Sequence, residues 1–384
     1  MSEWKEYKLG DIIVTNAKSI TKDYPYKKIK YLDTGSITCN KIESLQDLNL
    51  TDAPSRAKRL VNDGDIIYST VRPDQLHYGY ITSAPQNLVV STGFVTITCN
   101  KEIVNPKFLY YSLTQNQTTE FLHSIAEAST STYPSLKPSD IEALDIILPP
   151  LPEQEHIASI LSSLDDKIDL LNRQNQTLES MAEALFRHYI IDEAKEEWKE
   201  KSLSQIAIFL NGLACQKFPP KSEIEKLPVL KIKELSNGIT DNSDWATTEI
   251  SPEYLVQNGD VIFAWSASLM VKIWNGGDCI LNQHLFKVTS KKYPKWFYYM
   301  WSKFHLKEFK SIASSHATTM GHIKRGDLDA AMVLIPSKTE LKEITKQIQP
   351  IIEKQILNNK KIITLAKLRD ILLPKLMNGD FIIK

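Results

Sequence analysis

Two rhythms of hydrophobic and polar positions alternate along this chain, and they recur in a fixed order. Short alternating runs such as IIYST, FVTIT and VIFAW are bounded by Gly, Asn, Asp and Pro. That pattern predicts strands closed by turns. The runs KFLYYSLTQNQTTEFLHSIA and KWFYYMWSKFHLKEFKSIA carry apolar residues at helical spacing, each just after a proline suited to a helix start. Each globular stretch is therefore expected to mix α and β structure.

A second, longer rhythm follows each globular stretch. Ile157, Leu161, Leu164, Ile168, Leu171, Leu178, Ala182 and Leu185 recur at alternating spacings of four and three, interrupted by the polar Asn175. This is a heptad seam. Further on, Ile344, Ile348, Ile351, Gln355, Asn358, Ile362, Leu365, Arg369 and Leu372 repeat it. Helices of about 35 to 40 residues would run roughly 50 to 60 Å, too long to bury a seam against one small domain. Each needs a partner of similar length, and the other copy is the nearest. Pro149, Pro150 and Pro152 should end the preceding strand and fix where the first rod begins, with Glu153 and Glu155 suited to its first turn. Asn175, Gln355 and Asn358 on the seam would set register. Pro350 falls inside the second rod, where a proline costs about 3 kcal/mol, so a kink or a delayed start is expected near residue 350.

The chain states its contents twice. WKEYKLGDI from Trp4 returns as WKEKSLSQI from Trp198, and NDGDIIYST from Asn62 as QNGDVIFAW from Gln257. NPKFLYYSL from Asn105 is matched by YPKWFYYMW from Tyr293, and SLKPSDIEALDIILPP from Ser135 by HIKRGDLDAAMVLIPS from His322. The matches stand in one order, which makes this an internal duplication. The expected fold class is α+β: two globular domains, residues 1–150 and 192–337, with long helices over 151–191 and 338–384, the latter including a C-terminal tail.

Composition narrows the function. An apolar fraction of 42% with 24% charged residues is that of a folded, soluble chain. Lys plus Arg equals Asp plus Glu, 46 against 46, so any site for a polyanion must be a local patch. The charged start, MSEWKEYKLGD, and the lack of a long apolar run point to a cytoplasmic protein without a membrane segment. Cys39, Cys99, Cys215 and Cys279 lie far apart and read as reduced thiols. Neither a GxxxxGK[ST] nor a GxGxxG loop is present, nor HExxH or a Cys/His cluster. No metal site and no nucleotide site are expected, and the sequence offers no catalytic constellation for nuclease or methyl-transfer chemistry.

Polar and basic side chains gather instead in equivalent loops of the two copies. Ser69, Thr70 and Arg72 precede STSTYPSLK, which holds Thr132, Tyr133 and Lys137. In the second copy AWSAS holds Trp265 and Ser266, and SHATTMGHIKR holds Thr319, His322 and Lys324. Such side chains can bond phosphate oxygens or base edges. Two similar domains with differing loops suit a target made of two separated half-sites.

LPPLPEQEHIASIL, GDVIFAWSASL followed by WNGGDCILNQHLFKV, GHIKRGDL and the closing LLPKLMNGD give the chain, over essentially its whole length, a form that resembles the specificity subunit of type I restriction and modification enzymes. The resemblance implies two target recognition domains, each reading half of a bipartite, asymmetric double-stranded DNA sequence. It implies that the two long helices pair antiparallel and relate the domains by a pseudo-twofold axis. It also implies two methyltransferase subunits docked on that scaffold, with translocase and nuclease subunits completing the restriction complex. S-adenosylmethionine, ATP and magnesium would belong to those partners, and this chain would bind no cofactor and catalyse nothing itself. On that reading the DNA contacts fall on Ser69, Thr70, Arg72, Thr132, Tyr133 and Lys137, and on Lys217, Trp265, Ser266, His284, Thr319, His322 and Lys324. The copies differ in detail: the second ends LIPSKTELKEI without PPLPEQ, and NQH occurs only there. Two rival readings stay open at this stage, a coiled-coil scaffold with no DNA role and a fused enzyme with unfamiliar catalytic residues.

Overall fold

A computed structural model describes residues 4–129, 134–240, 242–315 and 321–379. The chain divides into two compact units, one made of residues 1–166 with 367–384, the other of residues 167–366.

In the first unit, strand Lys5–Lys8 pairs antiparallel with Asp145–Leu148, so the first and last strands of the globular part lie side by side. Between them stand two four-stranded sheets. One has the order Gln46–Asn49, Lys28–Leu32, Leu88–Ser91, Ala57–Leu60, and the other Ile13–Thr15, Phe94–Cys99, Ile66–Ser69, Tyr78–Tyr80. Helices Pro106–Leu113 and Asn116–Glu127 cover the core. The second unit repeats this plan strand for strand. Lys199–Ser202 pairs with Met332–Ile335, and the two four-stranded sheets run Trp245–Thr247, Lys226–Leu230, Cys279–Leu281, Leu255–Val256 and Ile208–Asn211, Leu285–Thr289, Val261–Ala264, Met270–Ile273. Both sheets of each unit contain pairs remote in sequence, which no local pattern announces.

The repeated NDGD and QNGD motifs prove to be one turn built twice. Gly64 and Gly259 sit at φ +94° and +95°, a left-handed conformation that favours glycine. The following aspartate closes each turn: Asp65 accepts from the Asn62 backbone N–H at 2.7 Å and Asp260 from that of Gln257 at 2.9 Å. Both apolar runs that follow fold as two helices in succession, the second pair being Lys295–Phe304 and Leu306–Ser315.

The long helices span Leu151–Phe186 and Lys338–Met377. They start by different means. In the first, Pro152 lies in the first turn, where its missing N–H removes no bond, and Gln154, 1% exposed, holds the start in place. Its carboxamide donates to the carbonyls of Pro149 (2.8 Å) and Ile103 (3.0 Å) and accepts from Asn105 N–H (2.8 Å). In the second, Ser337 and Glu340 form a capping box: the Ser337 N–H donates to the Glu340 carboxylate at 3.0 Å, and the Glu340 N–H to the Ser337 hydroxyl at 3.3 Å.

That cap corrects the expectation of a delayed start near residue 350. The second helix begins at Lys338 and runs unbroken through Pro350. Pro350 is on the exposed side, whereas Ile348 and Ile352, two residues to either side, are fully buried. Each buried isoleucine contributes about 1.5–3 kcal/mol, which outweighs one lost backbone bond.

The seam positions are buried or half-buried throughout. Within the first unit Ile157 and Leu161 share a core with Leu376 and Met377, against which Leu372 packs, and Arg369 meets Asp165 at 2.9 Å. Leu164 is half-buried in the same unit. Within the second, Ile168, Leu171 and Leu178 continue the first helix's seam, Ala182, Phe186, Ile344, Ile348 and Ile352 enter the core, and Leu185 and Ile351 pack on it. Ile362 and Leu365 are half-buried.

The polar interruptions meet one another. Gln355 donates to the Asn175 carbonyl (3.0 Å) and to the Glu179 carboxylate (2.7 Å), while Asn175 joins both Asn358 (3.1 Å) and Asn359 (2.7 Å). Residue numbers rise on one helix as they fall on the other, so the helices pair antiparallel here. A one-turn slip would strand these buried amides among apolar neighbours, which fixes the register.

Candidate nucleic-acid interface

The same backbone junction occurs in both units and brings the polar loops of each copy together. After strand Ile66–Ser69 the chain meets residues 134–137: Arg72 N–H donates to Pro134 O (3.1 Å) and Leu136 N–H to Thr70 O (2.7 Å). In the second unit Ala267 N–H donates to Gly321 O (2.8 Å) and Ile323 N–H to Trp265 O (3.0 Å). Isolated bridges Val71–Ser135 and Ser266–His322 complete the match. Arg72 and Ala267, at φ +50° and +55°, both adopt the left-handed conformation at the same point of the turn. A residue with a side chain is strained there by about 1 kcal/mol or more, and the surrounding bonds hold it.

The side chains of these loops differ in burial and in bonding. Ser69 is buried and its hydroxyl donates to Val71 O (2.9 Å); Thr70 donates to Gly93 O (3.0 Å). Arg72 and Lys137 are exposed. The Lys137 backbone N–H donates to Asp140 (2.7 Å) and that of Lys324 to Asp327 (2.6 Å), so the backbone of each lysine is fixed just before a short helix.

Trp265 lies half-buried at a strand end, stacked on Phe286 with ring centroids 5.7 Å apart, and its indole N–H donates to Asn211 at 3.1 Å. Ser266 is buried and within 3.2 Å of His284 Nδ1, and the His284 and His322 rings lie 5.7 and 6.4 Å from Trp265. The four form one packed cluster. Lys217 is exposed at the end of the short turn Cys215–Lys217. Thr132, Tyr133 and Thr319 lie outside the described residues.

Beside that cluster is a cleft of about 300 Å³ lined by Gln216, Lys231, Ile232, Lys233, Asn282, Gln283 and His284. Asn282 in its lining lies against Gly212, whose N–H donates to Leu285 O at 3.0 Å. A Cβ at residue 212 would lie 2.2 Å from Asn282 O. Gly212→Ala is therefore expected to displace this wall and destabilise the second unit by about 1–3 kcal/mol, measured by denaturant unfolding. A change within a few tenths of a kcal/mol would show that the close approach is relieved at no cost. The sequence singles out His284 but not Gln216, Lys233 or Gln283; only the fold puts these three, from separate segments, around one hollow.

Among the described residues no group of three or more His, Cys, Asp or Glu is placed to hold a metal ion. Burial pushes the Cys99 thiol up to about 12 and raises those of Cys215 and Cys279, so these three carry no thiolate at neutral pH. What the loops offer is hydrogen-bonding side chains and positive charge on rigid strand ends. Among the described residues no helix is long and apolar enough to cross a membrane.

Comparison with known proteins agrees with the duplication. The family model of the type I restriction modification DNA specificity domain matches twice, over residues 1–180 and 195–367. The chain is 26% identical to the type I restriction enzyme HindI specificity subunit of Haemophilus influenzae, covering 99% of this chain and 100% of that protein. It is 28% identical to the MjaIX specificity subunit of Methanocaldococcus jannaschii, covering 98% and 88%. Among solved structures, the type I restriction-modification system S subunit from M. genitalium superposes with a TM-score of 0.58 at 15% identity, covering 98% of this chain and 96% of that one, a likeness of fold.

Proposed function

The chain belongs to the family of type I restriction modification DNA specificity domains, carrying two copies of it, and from that premise we propose that it is the DNA-recognition subunit of a type I restriction-modification complex. The observation that carries this reading is the duplicated junction with differing side chains: one backbone solution holds Thr70 and Arg72 in one unit and Trp265 and Ser266 in the other. A common scaffold carrying different loops is what an asymmetric target of two half-sites requires.

On this reading each unit reads one half of a bipartite double-stranded sequence. The chain itself is not catalytic. Two methyltransferase subunits dock on it and carry S-adenosylmethionine, and translocase and nuclease subunits bring ATP and magnesium. The complex works in the cytoplasm.

The exposed Lys137, whose backbone is fixed by Asp140, contacts phosphate. Lys137→Ala is expected to weaken binding by a similar factor for all duplexes and to lower the salt dependence by about one charge. Titrations at several salt concentrations check this; a loss confined to one sequence would assign the residue to a base instead.

The test of the whole reading is methylation mapping of DNA from cells making this chain with its methyltransferase partner, against cells lacking only this chain. A single bipartite methylated motif with a fixed gap is expected. Unchanged methylation, with the complex shown to assemble, would leave a scaffold without a DNA role.

A further inference from the structure

The two units share a strand framework, so positions can be equated through their pairings and the side chains at equal positions compared. Val95 faces Tyr68 in the first unit as Phe286 faces Phe263 in the second. Val89 and Val90 pair with Tyr31 and Leu32 as Ile280 and Leu281 pair with Val229 and Leu230. These registers make Gln283 the counterpart of Thr92, and Lys233 the counterpart of Gly35. The surroundings then diverge. The first unit inserts a hairpin, Ile37–Thr38 with Lys41–Ile42, and the second a helix, Ile232–Asn237.

The inserted helix is firmly anchored although it differs from its counterpart. Glu234, 2% exposed, accepts from the Ser243 hydroxyl (3.0 Å) and from the Lys231 N–H (3.3 Å), and Lys231 pairs with Asp244. The exposed Lys233, on this helix, lines the cleft. Gln216, exposed, and Gln283, half-buried, line the same cleft. Their carboxamides and the Lys233 ammonium have no hydrogen-bond partner among the described residues. The neighbouring Ser266, His284 and Trp265, by contrast, pack and bond with one another or with Asn211. Polar side chains held in place and left unpaired are suited to a ligand with its own donors and acceptors.

We propose that Gln283 and Gln216 are the base-reading side chains of the second unit, and that Gln283 recognises an adenine through its carboxamide. A glutamine can donate to N7 and accept from the N6 amino group of adenine in the major groove, a pairing no other base presents. Lys233 supplies the adjacent positive charge. The inference rests on the DNA-recognition reading above and deepens it, since it assigns specificity to side chains in which the copies differ.

The test uses the full chain in complex with its methyltransferase partner. Methylated motifs are mapped for the wild type, Gln283→Ala, Gln283→Thr and Gln216→Ala. In the wild type one half of the motif contains the adenine that Gln283 reads. Both Gln283 variants should relax that position, with discrimination falling roughly 5- to 150-fold, while the other half stays unchanged. Gln216→Ala should relax a position in the same half. An unaltered motif, or equal relaxation in both halves, overturns the proposal. A variant complex that fails to methylate is tested by competition binding with duplexes altered at single positions of one half, where undiminished discrimination also overturns it. A wild-type complex with no bipartite motif would instead defeat the recognition reading itself.

Discussion

A chain stopped after Ala366 is expected to lose the fold of its N-terminal unit while its second unit, residues 167–366, persists. The residues removed belong to the first unit. Leu376 and Met377, 3% and 7% exposed, lie in one core with Ile157, Leu161 and Phe108. Two buried side chains of this size contribute about 3–6 kcal/mol together, and Leu372 and Leu373 pack on the same core. Arg369 would go as well, leaving Asp165 with the Tyr111 hydroxyl (2.6 Å) as its remaining hydrogen-bond partner. Since single domains are stable by about 5–15 kcal/mol, that loss is comparable with the whole. Hydrogen exchange should show protection collapsing in strands Lys5–Lys8 and Asp145–Leu148 and retained in Lys199–Ser202 and Met332–Ile335. Full protection in the first pair would show that the C-terminal turns do not stabilise this core.

Lys303→Met should destabilise the second unit by about 3 kcal/mol at neutral pH. Lys303 and Glu179 are 22% and 24% exposed, and Glu179 also accepts from Tyr299 (2.8 Å) and Gln355 (2.7 Å). Lys303 further pairs with Glu183 at 2.5 Å. Methionine replaces the stem of the lysine but leaves the carboxylate half-buried without its cation. The same network fixes a pH dependence. Burial pushes the Glu179 carboxyl up, but Lys303, Gln355 and Tyr299 more than offset this and hold it below the ordinary 4.5. A carboxyl with a depressed folded pKa contributes stability above its unfolded pKa, and that contribution is lost as pH falls through the folded value. The gap between wild type and variant is therefore greatest near neutrality and narrows below about pH 4.5. Urea melts at pH 7 and pH 4 decide the matter; an equal gap at both would remove Glu179 as the cause.

Much of this architecture could be read from residue order. The duplication, the strand–turn pattern and both rods follow from local periodicity, and the repeated GD motif marks a turn because few other residues take a left-handed φ. The fate of Pro350 was not legible, because the helix penalty is local whereas the burial of Ile348 and Ile352 depends on a core assembled from distant segments. The site was half legible. Composition points to the loops around Arg72 and Trp265, and the family resemblance to His284, but whether a polar side chain faces a ligand or a neighbour depends on packing: Ser266 turns to His284, while Gln216 and Gln283 stay open. The insertions differ between copies, so the repeat could not guide their reading.

The closing contacts of the first unit also bear on the order in which the molecule matures during synthesis. Strand Lys5–Lys8 waits for Asp145–Leu148, and the core of the same unit waits for Leu376 and Met377, translated after the whole of the second unit. At about 5–20 residues per second, roughly 10 to 45 seconds separate the emergence of Leu148 from that of Leu376. The second unit, complete by Ala366, has all its residues first. The half of the protein made earliest is thus finished last, and during that interval its apolar floor depends on whatever the cell provides to keep nascent chains from sticking together.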